Sequence, residues 1–480
     1  MAANTALVWF RHDLRLADNR ALCAALEVSN VVPVYIWSQE EDDDWPLGGA
    51  SRWWLHQSLT SLSNDLRKLG SRLILRQGNA LECLQTLAQE TGATSVFWSR
   101  RYEPFIIERD KEIKQSLQDD GLDVQSFNGG LLLEPWEIEN KQGKPFQVFT
   151  PFWKNCLARE ANHDPLPAPT TLPSPDAWPA SDQLADWQLK PTIPWDVGMR
   201  ETWSVGESAA HEQLQQFVAE LMDEYKDQRD LMAVEGTSRL SPYLHFGEIS
   251  PRQIWAEAKA AIASRKEESV GAKTFLSEVG WREFGYQLLY HFPETPTQAL
   301  RENFRAFPWD NNSENLRRWQ HGQTGYPVVD AAMRQLWHTG WMHNRARMIV
   351  ASFLCKHLLI PWQRGAEWFW DTLVDADLAS NTLGWQWTAG CGADAAPYFR
   401  IFNPITQGEK FDPKGNYIRH WVPELEKLPN KWLYQPWAAP DEVLAGAGVT
   451  LGENYPHPIV DHPTARQAAL DAYEAIKVKK

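Results

Sequence analysis

Residues 341–404 combine many tryptophans with polar side chains of the kind that bind a large, flat ligand. Residues 341–366 contain four lysines or arginines and no acid, and the carboxylates Asp375 and Asp377 follow closely. Asp377 and Asn381 are four residues apart, so a helix places them on one face. A buried polar group without a partner costs about 1–3 kcal/mol. The segment therefore predicts either an internal hydrogen-bond network that fixes helix packing or a pocket for a polar ligand.

Residues 236–241 (GTSRLS) form a second candidate site, a glycine- and hydroxyl-bearing run at the start of a predicted helix. Backbone N–H groups at a helix N-terminus bind phosphate, and hydroxyl groups add further donors. An ordinary helix-capping box is the alternative that these residues leave open. The run thus predicts either an anion site or a capped helix start.

The elements that would position these residues begin with an alternation of strands and helices. Five short apolar runs predict strands: ALVWF, VVPVYIW, RLILRQG, SVFWSR and DVQSF. Amphipathic stretches between them predict helices, so we expect a doubly wound, five-stranded parallel sheet. The first strand is followed by RHDLRLADN, which lacks the G-x-G-x-x-G pattern. The sheet is therefore not expected to bind a dinucleotide.

Three regions follow from the change in composition along the chain. Residues 1–131 form the predicted α/β domain. Residues 132–200 contain many prolines and little periodicity, which indicates a long linker on the surface. Residues 201–480 are predicted to form an all-helical domain, in which two Ser-Pro pairs mark helix starts.

The composition argues against several classes of protein. The net charge of −15 argues against a protein that coats DNA, although a local basic groove is compatible with it. Five cysteines without C-x-x-C spacing argue against a disulfide framework, a zinc site or an iron–sulfur cluster, so no metal is expected. The start of the chain lacks a signal-peptide pattern, and the longest apolar run, residues 348–360, is shorter than the ~20 residues that span a bilayer. We expect a cytoplasmic protein without a membrane segment.

Several long motifs establish a resemblance to the photolyase/cryptochrome family. WMHNRARM, DADLASN, WQW and YFRIFNP resemble family motifs in order and spacing, and the likeness extends from VWFRHDLRL to FDPKGNYIRHWVPEL. GGASRWWLH, RRYEPF and HFPETP resemble class III CPD photolyases, the subgroup nearest plant cryptochromes. The resemblance implies an antenna-binding N-terminal domain, a helical FAD-binding domain, and a monomeric bacterial enzyme that acts on UV-damaged DNA.

The resemblance implies an FAD site in the helical domain. The residues that match the family's FAD contacts are Tyr225, Thr237, Ser238, Arg239, Leu240, Ser241, Asn344, Arg347, Asp375, Asp377 and Asn381. An arginine beside the flavin stabilises the anionic reduced ring, and Asp375 can hold Arg347 in place. A structural buried ion pair is compatible with the same two residues.

Three tryptophans match the family's relay of electrons from the surface to the flavin. They are Trp385, Trp362 and Trp309. Any one of them alone would be interpreted as a packing residue, and the relay is implied by the matched set. Trp370 is close to them in sequence, which leaves a second branch open.

The resemblance also implies a cavity for a cyclobutane pyrimidine dimer that has been flipped out of the duplex. The matching cavity residues are Glu278, Trp281, Arg282, Asn344, Met348 and Trp387, and Asn381 is counted with the catalytic set. The arginines that match phosphate-holding positions are Arg229, Arg282, Arg345 and Arg400. Without the resemblance, EVGWREF would be interpreted as an amphipathic helix with a surface salt bridge.

Asn381 bears on the choice between repair and signalling. In the family this position faces N5 of the flavin, and an amide cannot donate a proton there, whereas plant signalling cryptochromes carry an acid. The motif HNRARM stands where the (6-4) enzymes carry a histidine-bearing motif. Repair of cyclobutane dimers is therefore the favoured function. A blue-light receptor that signals through a protein partner and a (6-4) photolyase are the alternatives, and no nicotinamide fingerprint supports an ordinary flavin oxidoreductase.

The resemblance implies an antenna chromophore in the N-terminal domain. Folate-binding microbial relatives carry Asn-Glu soon after Tyr-Glu, whereas here Tyr102-Glu103 is followed by Pro-Phe-Ile. Class III enzymes use methenyltetrahydrofolate in another pocket, so we expect that antenna, with 8-hydroxy-5-deazaflavin or no antenna as alternatives. The motifs do not assign the residues of the pocket.

Overall fold

A five-stranded parallel sheet forms the centre of the N-terminal part of the molecule. The computed structural model describes residues 4–28, 30–38, 45–159, 164–265, 269–395 and 400–477. The strands are β1 (Thr5–Phe10), β2 (Asn30–Trp37), β3 (Ile74–Gln77), β4 (Ala93–Ser99) and β5 (Asp123–Phe127). They pair in the order β3-β2-β1-β4-β5, all in parallel. The predicted doubly wound sheet is confirmed.

Helices cover this sheet, which explains its apolar strands. They are α1 (Arg20–Val28), α2 (Gly49–Lys68), α3 (Ala80–Thr91) and α4 (Pro104–Asp119). Every residue of β1 is buried, as is every residue of β2 except the first. A strand buried on both faces needs apolar side chains at consecutive positions, so these runs do not alternate. The strand order reverses at β1, and such a switch point is where open parallel sheets bind ligands.

The segment predicted as a surface linker, residues 132–200, is only partly irregular. It contains α5 (Phe149–Leu157) and most of α6 (Val197–Thr202), and it buries Leu172 and Trp187. Three apolar residues spaced three and four apart give α5 one buried face. The segment is therefore also a packed part of the molecule, while the predicted domain limits stay predictions.

The rest of the described chain is helical, as predicted. The helices are α7 (Glu207–Gln216), α8 (Tyr225–Gln228), α9 (Ser241–His245), α10 (Pro251–Ala263), α11 (Val270–His291), α12 (Ser313–Gln320), α13 (Pro327–Thr339), α14 (Asn344–Ser352), α15 (Trp362–Thr372), α16 (Leu378–Ala389), α17 (Pro404–Phe411), α18 (Asn416–Trp421), α19 (Asn430–Leu433), α20 (Asp441–Ala447) and α21 (His462–Ile476). Among these described helices none combines the length and the apolar character that crossing a membrane requires.

A buried polar network joins the sheet to the helical part. Arg252 at the start of α10 donates from Nε to Asp18 Oδ2 at 2.9 Å, and both side chains are almost fully buried. Arg15 donates to the Gly247 carbonyl at 2.8 Å. Gly247 has a φ of +66°, and a Cβ there would lie 2.1 Å from the His12 carbonyl oxygen. Only glycine permits this close approach of the two backbones.

Glu248 is a fully buried carboxyl group at the same interface. It accepts hydrogen bonds from Trp54 Nε1 (3.1 Å) and Ser58 Oγ (2.6 Å), both on α2. Burial raises the pKa of Glu248 from 4.5 to about 8, although these two hydrogen bonds oppose the shift. The folded protein therefore keeps a proton on Glu248 at pH values at which the unfolded chain has lost it.

We predict that Glu248→Gln makes the free energy of unfolding less dependent on pH between about 5 and 8. In this window the native state binds one more proton than the unfolded state, so Glu248 lowers stability by up to about 1.4 kcal/mol per pH unit as the pH rises. Glutamine keeps an acceptor and does not titrate. Urea unfolding at pH values across this window measures the change, with exposed Glu108→Gln as the control. An identical pH dependence in wild type and Glu248→Gln would contradict this assignment.

Candidate functional site

Helix α16 is the element on which the candidate site is built. It packs against α11, α14 and α15, and it carries Asn381, Trp385 and Trp387. Asp377 caps its first turn by accepting a hydrogen bond from the Ser380 N–H at 2.7 Å. Because such a cap satisfies an N–H group that the helix itself leaves free, Asp377 determines where α16 begins.

Asp375, two residues before that cap, joins Arg347 of α14 to Ser241 of α9. Its Oδ2 lies 2.8 Å from Arg347 Nη2 and accepts a hydrogen bond of 2.6 Å from Ser241 Oγ. Asp375 is buried, whereas Ser241 is exposed. The structure thus brings Arg347 and Asp375 together, as the sequence predicted, and presents a hydroxyl next to them. Hydrogen bonds of this charge-assisted kind are short and strong.

Asp377 is committed to protein partners through its other oxygen. Oδ2 accepts a hydrogen bond from the Tyr286 hydroxyl and lies 3.9 Å from His245 Nδ1. Burial alone would raise the pKa of Asp377, but the nearby His245, the charge of Arg282 and the Tyr286 hydroxyl hold it well below its usual range. The ionised side chain ties α16 to α9 and α11. Both oxygens of this predicted cofactor residue are therefore occupied by protein groups.

The predicted phosphate-binding run lies directly before α9. Thr237 and Arg239 line a cleft of ≈ 320 Å³ together with Trp341. The Arg239 guanidinium lies 5.2 Å from the centroid of the Trp341 ring, and Arg239 has a φ of +50°. Ser238 is half-buried, and Leu240 is buried in the core. The side chain of Leu240 therefore supports the run from within and does not face a ligand.

Three further predicted cofactor residues occupy different surroundings. Tyr225 is buried at the start of α8, and the Arg229 guanidinium lies 5.2 Å from the centroid of its ring. Asn344, the first residue of α14, is exposed. Asn381 donates from Nδ2 to the Ala366 carbonyl at 3.1 Å. Its Oδ1 is then the atom that can accept a hydrogen bond from a ligand.

The three tryptophans of the predicted relay belong to one apolar cluster. Trp385 and Trp362 are buried within it, and Trp309 is half-buried at its edge. Gly365 makes room for the first of them, because a Cβ there would lie 2.0 Å from Trp385 Cη2. Trp385 also meets Trp319 edge to face, with 6.2 Å between ring centroids. Sequence analysis did not single out Trp319, because its spacing resembles that of an ordinary core tryptophan.

The residues predicted to hold a lesion come from α11, α14 and α16. Glu278 forms a partly buried ion pair with Arg229. Trp281 stacks face to face on Phe149 of α5, with 4.0 Å between centroids and 9° between planes. Met348 is half-buried on α14. One face of the Trp281 ring is thus covered by protein.

Trp387 lines a cationic cavity at the other end of α16. Its walls include Arg301, Lys356 and Arg400, and no carboxylate belongs to its described lining. Burial lowers the pKa of Lys356 to about 8, and Lys356 Nζ donates to the Arg400 carbonyl. The cavity itself is small, ≈ 20 Å³, which is room for about one water molecule.

Two of the four predicted phosphate-binding arginines already have acidic partners, and one is exposed. Arg345 pairs with Asp230 at 2.8 Å, and its guanidinium lies 4.3 Å from the Phe411 ring centroid. Arg229 is held by Glu278, as described above, and Arg400 is exposed. Residues 398 and 399 of the YFRIFNP motif, which precede Arg400, lie outside the described residues.

Arg282, the fourth arginine, already has partners within the protein. Its Nη1 donates to the Gly130 carbonyl at 2.6 Å, and its guanidinium lies 4.7 Å from the centroid of the Tyr286 ring. Only 13% of the side chain is exposed. The face of α11 that carries Arg282 is therefore turned toward the loop after β5, and Glu278 pairs with Arg229 instead. A role of Arg282 at a DNA phosphate stays a prediction.

A second pocket lies at the carboxyl edge of the sheet, beside the switch point at β1. Its lining includes Trp9, Trp37, Trp370, Arg11, Arg109 and Glu103. The guanidinium groups of Arg11 and Arg109 lie 4.7 and 5.4 Å from the Trp9 ring. Sequence analysis assigned no residues here. The signal that could have found them is the set of arginines and aromatic residues directly after β1 and β4, where a switch-point ligand would lie.

Comparisons with known proteins give these sites a context. Residues 275–475 match the model of the FAD binding domain of DNA photolyase, and residues 6–172 match that of DNA photolyase. The chain is 51% identical to a deoxyribodipyrimidine photo-lyase of Agrobacterium fabrum over 98% of each chain. It is 43% identical to cryptochrome-2 of Arabidopsis thaliana, over 97% of this chain and 78% of that one. The crystal structure of a bacterial class III photolyase from Agrobacterium tumefaciens is similar with a TM-score of 0.96 and 50% identity, over 99% of this chain and 98% of that one.

The residues present fit FAD. The run at 236–241 offers hydroxyl and backbone N–H donors for a diphosphate. Arg347 offers a cation, and Asn381 offers an acceptor oxygen, for the polar edge of a flavin ring. The Asp375 carboxylate holds the Arg347 guanidinium in place.

We predict that Asp375→Asn weakens FAD binding by about tenfold or more, because a hydrogen bond to a charged group contributes about 1.5–3 kcal/mol. Arg347 would lose the charge that orients it. Titration of the apoprotein with FAD, followed by flavin fluorescence, measures the dissociation constant. Asp441→Asn, at the exposed start of α20, is the matched control. Equal FAD affinity in wild type and Asp375→Asn would show that the pair is structural only.

Proposed function

This chain belongs to the photolyase/cryptochrome family, and from that premise we propose that it is a light-dependent enzyme that splits cyclobutane pyrimidine dimers in DNA. It would act as a monomer in the bacterial cytoplasm. The proposal is supported chiefly by the position of Trp281 and Trp387. They lie on α11 and α16, which pack on each other, and α16 also packs on α14, which carries Arg347 of the Arg347–Asp375 pair.

The substrate class follows from the shape and charge of this region. A pyrimidine dimer must leave the base stack to reach it, at a cost of a few kcal/mol that damage itself reduces. Stacking on an aromatic side chain contributes about 1–3 kcal/mol of binding free energy per base. Arg229, Arg345 and Arg400 would then hold backbone phosphates, which orients the strand without reading its sequence. Specificity would be for the lesion.

When bound, reduced FAD would supply the chemistry, which is a light-driven one-electron transfer to the dimer and back as the two C–C bonds between the pyrimidines break. Arg347 favours the anionic form of the reduced ring, because it provides a positive charge held by Asp375. Asn381 presents an acceptor oxygen and no acidic proton. Glu278, oriented by Arg229, can accept hydrogen bonds from the bases.

A blue-light receptor is the second candidate, and the 43% identity to cryptochrome-2 favours it. The amide at Asn381 and the aromatic residues Trp281 and Trp387 favour repair. Illumination of FAD-loaded protein with each lesion type separates the three functions: a cyclobutane-dimer photolyase repairs the dimer, a (6-4) photolyase repairs the (6-4) lesion, and a receptor repairs neither.

We propose that the pocket at the sheet edge binds the antenna chromophore. Its tryptophans suit a flat ring, and Arg11, Arg101 and Arg109, which pair with Asp110 and Glu103, supply positive charge for anionic groups. Methenyltetrahydrofolate, a flat ring with a carboxylate tail, meets both requirements. 8-Hydroxy-5-deazaflavin is the alternative that meets them as well, and the absorption spectrum of protein purified from its source separates the two.

Repair is the direct test of the proposed function. Illumination of the reduced protein with a dimer-containing oligonucleotide should restore thymine absorbance. Trp281→Leu and Trp387→Leu should each weaken binding of that oligonucleotide by about tenfold, since one stacked base contributes about 1–3 kcal/mol. Trp337→Leu is the control, because that ring is 55% exposed on α13. Failure of the wild type to restore thymine absorbance, or repair of (6-4) lesions alone, would overturn the proposal.

We also propose that Trp385, Trp362 and Trp309 deliver electrons to oxidised FAD. The prediction is that Trp362→Phe slows photoreduction of bound FAD in the presence of an external reductant, because phenylalanine is much harder to oxidise. Transient absorption after a light pulse measures the rate, with Trp337→Phe as the control. An unchanged photoreduction rate in Trp362→Phe, together with slower photoreduction in Trp319→Phe, would show that the electrons pass through Trp319 and not through Trp362.

A further inference from the structure

Three aromatic rings lie nearly parallel where α5 meets α11. Trp281 stacks on Phe149 with 4.0 Å between centroids and 9° between planes. Phe149 in turn lies 6.3 Å from Trp153 at 14°. Phe149 is 8% exposed, whereas Trp281 is half-buried. Phe149 therefore covers one face of Trp281 from inside the protein, and a stacked base would need the other face.

The backbone of α11 has a glycine, Gly280, where the stacked rings approach it. A Cβ at Gly280 would lie 2.5 Å from Trp153 Cε3, so α5 can approach α11 this closely only where α11 has a glycine. Trp153 also packs edge to face on Trp255, with 5.8 Å between centroids. The outer ring of the stack is thereby anchored on both sides.

The N-terminal end of α5 is also fastened to the loop that follows α16. The Asp394 N–H donates to the Gln147 carbonyl at 3.0 Å, and the Asp394 carboxylate lies beside the Phe149 N–H, which opposes the rise that burial causes in its pKa. This loop follows the last turn of α16, which carries Trp387. The Phe149 ring thus contacts Trp281, and the chain around Phe149 is bonded to the loop that follows α16.

We propose that Phe149 is a positioning residue that fixes the plane of Trp281, and its spacing from the α16 side, for a flipped-out pyrimidine dimer. The inference rests on the proposed function and extends it to a part of the chain that lies outside the helical domain in sequence. Its physical basis is that a ring held against a parallel ring cannot tilt, so the free face is already aligned before the bases arrive.

The first test compares Phe149→Leu with Phe152→Leu in full-length, FAD-loaded protein. Phe152 lies in the same apolar cluster, is 1% exposed and packs against Phe284. Both variants should lose stability. Only Phe149→Leu should weaken binding of a dimer-containing oligonucleotide, by about three- to tenfold, while its affinity for undamaged DNA and its flavin spectrum stay unchanged.

The second test is a double-mutant cycle with Trp281→Leu. If Phe149 acts through Trp281, Phe149→Leu should add almost no further loss of lesion affinity once Trp281 is leucine. Full additivity of the two losses would overturn the proposal. So would an equal loss of lesion binding in Phe149→Leu and Phe152→Leu, because that result describes a general packing defect.

Asp394→Gly provides a second variant in case Phe149→Leu does not fold. Glycine adopts the φ of +50° found at this position and removes only the carboxylate beside the Phe149 N–H. Lesion affinity should fall in the same direction, and unchanged lesion affinity would count against the proposal. If the wild type neither binds nor repairs the dimer, the proposed function fails. If the wild type repairs the dimer and both variants bind it as tightly as the wild type does, only the role of Phe149 fails.

Discussion

A buried carboxylate shared between a guanidinium and a hydroxyl is the constraint on which the candidate site depends. Asp375 holds Arg347 and Ser241, so helices α14 and α9 and the start of α16 meet at one side chain. Removing ions from water costs several kcal/mol per ion unless the pairing and the remaining hydrogen bonds compensate. Neither member of the pair can therefore move alone. The flavin region is held in a defined arrangement by this requirement.

The sheet contributes to the same arrangement from the other side. Asp18 and Arg252 join it to α10, and Glu248 joins α2 to the turn before α10. Asp377 extends the connection to α16 through the Tyr286 hydroxyl. A chromophore in the sheet-edge pocket and a flavin beside Asp375 would therefore sit in parts of the chain that are joined by buried polar contacts.

The sequence predicted the elements with strong local signals and missed the features that tertiary packing decides. The five strands were predictable because each is a short apolar run between turn residues. The partners of Arg282 were not predictable, because spacing identifies which residues share a helix face but not which way that face points, and α11 is buried on most sides. Helix α5 was not predicted, because the prolines around it in the sequence indicated an irregular segment. The sheet-edge pocket is assembled from loops that are distant in sequence, so no single motif marks it.

The central claim is that Asp375 and Arg347 hold a flavin within reach of a lesion gripped between α11 and α16. A crystal structure of the FAD-loaded protein with a dimer-containing duplex tests this most directly. We expect the flavin ring beside Arg347 and the two pyrimidines, flipped out of the duplex, against Trp281 and Trp387. A flavin bound elsewhere, or a dimer that stays stacked in the duplex while these side chains fill the cleft, would contradict it.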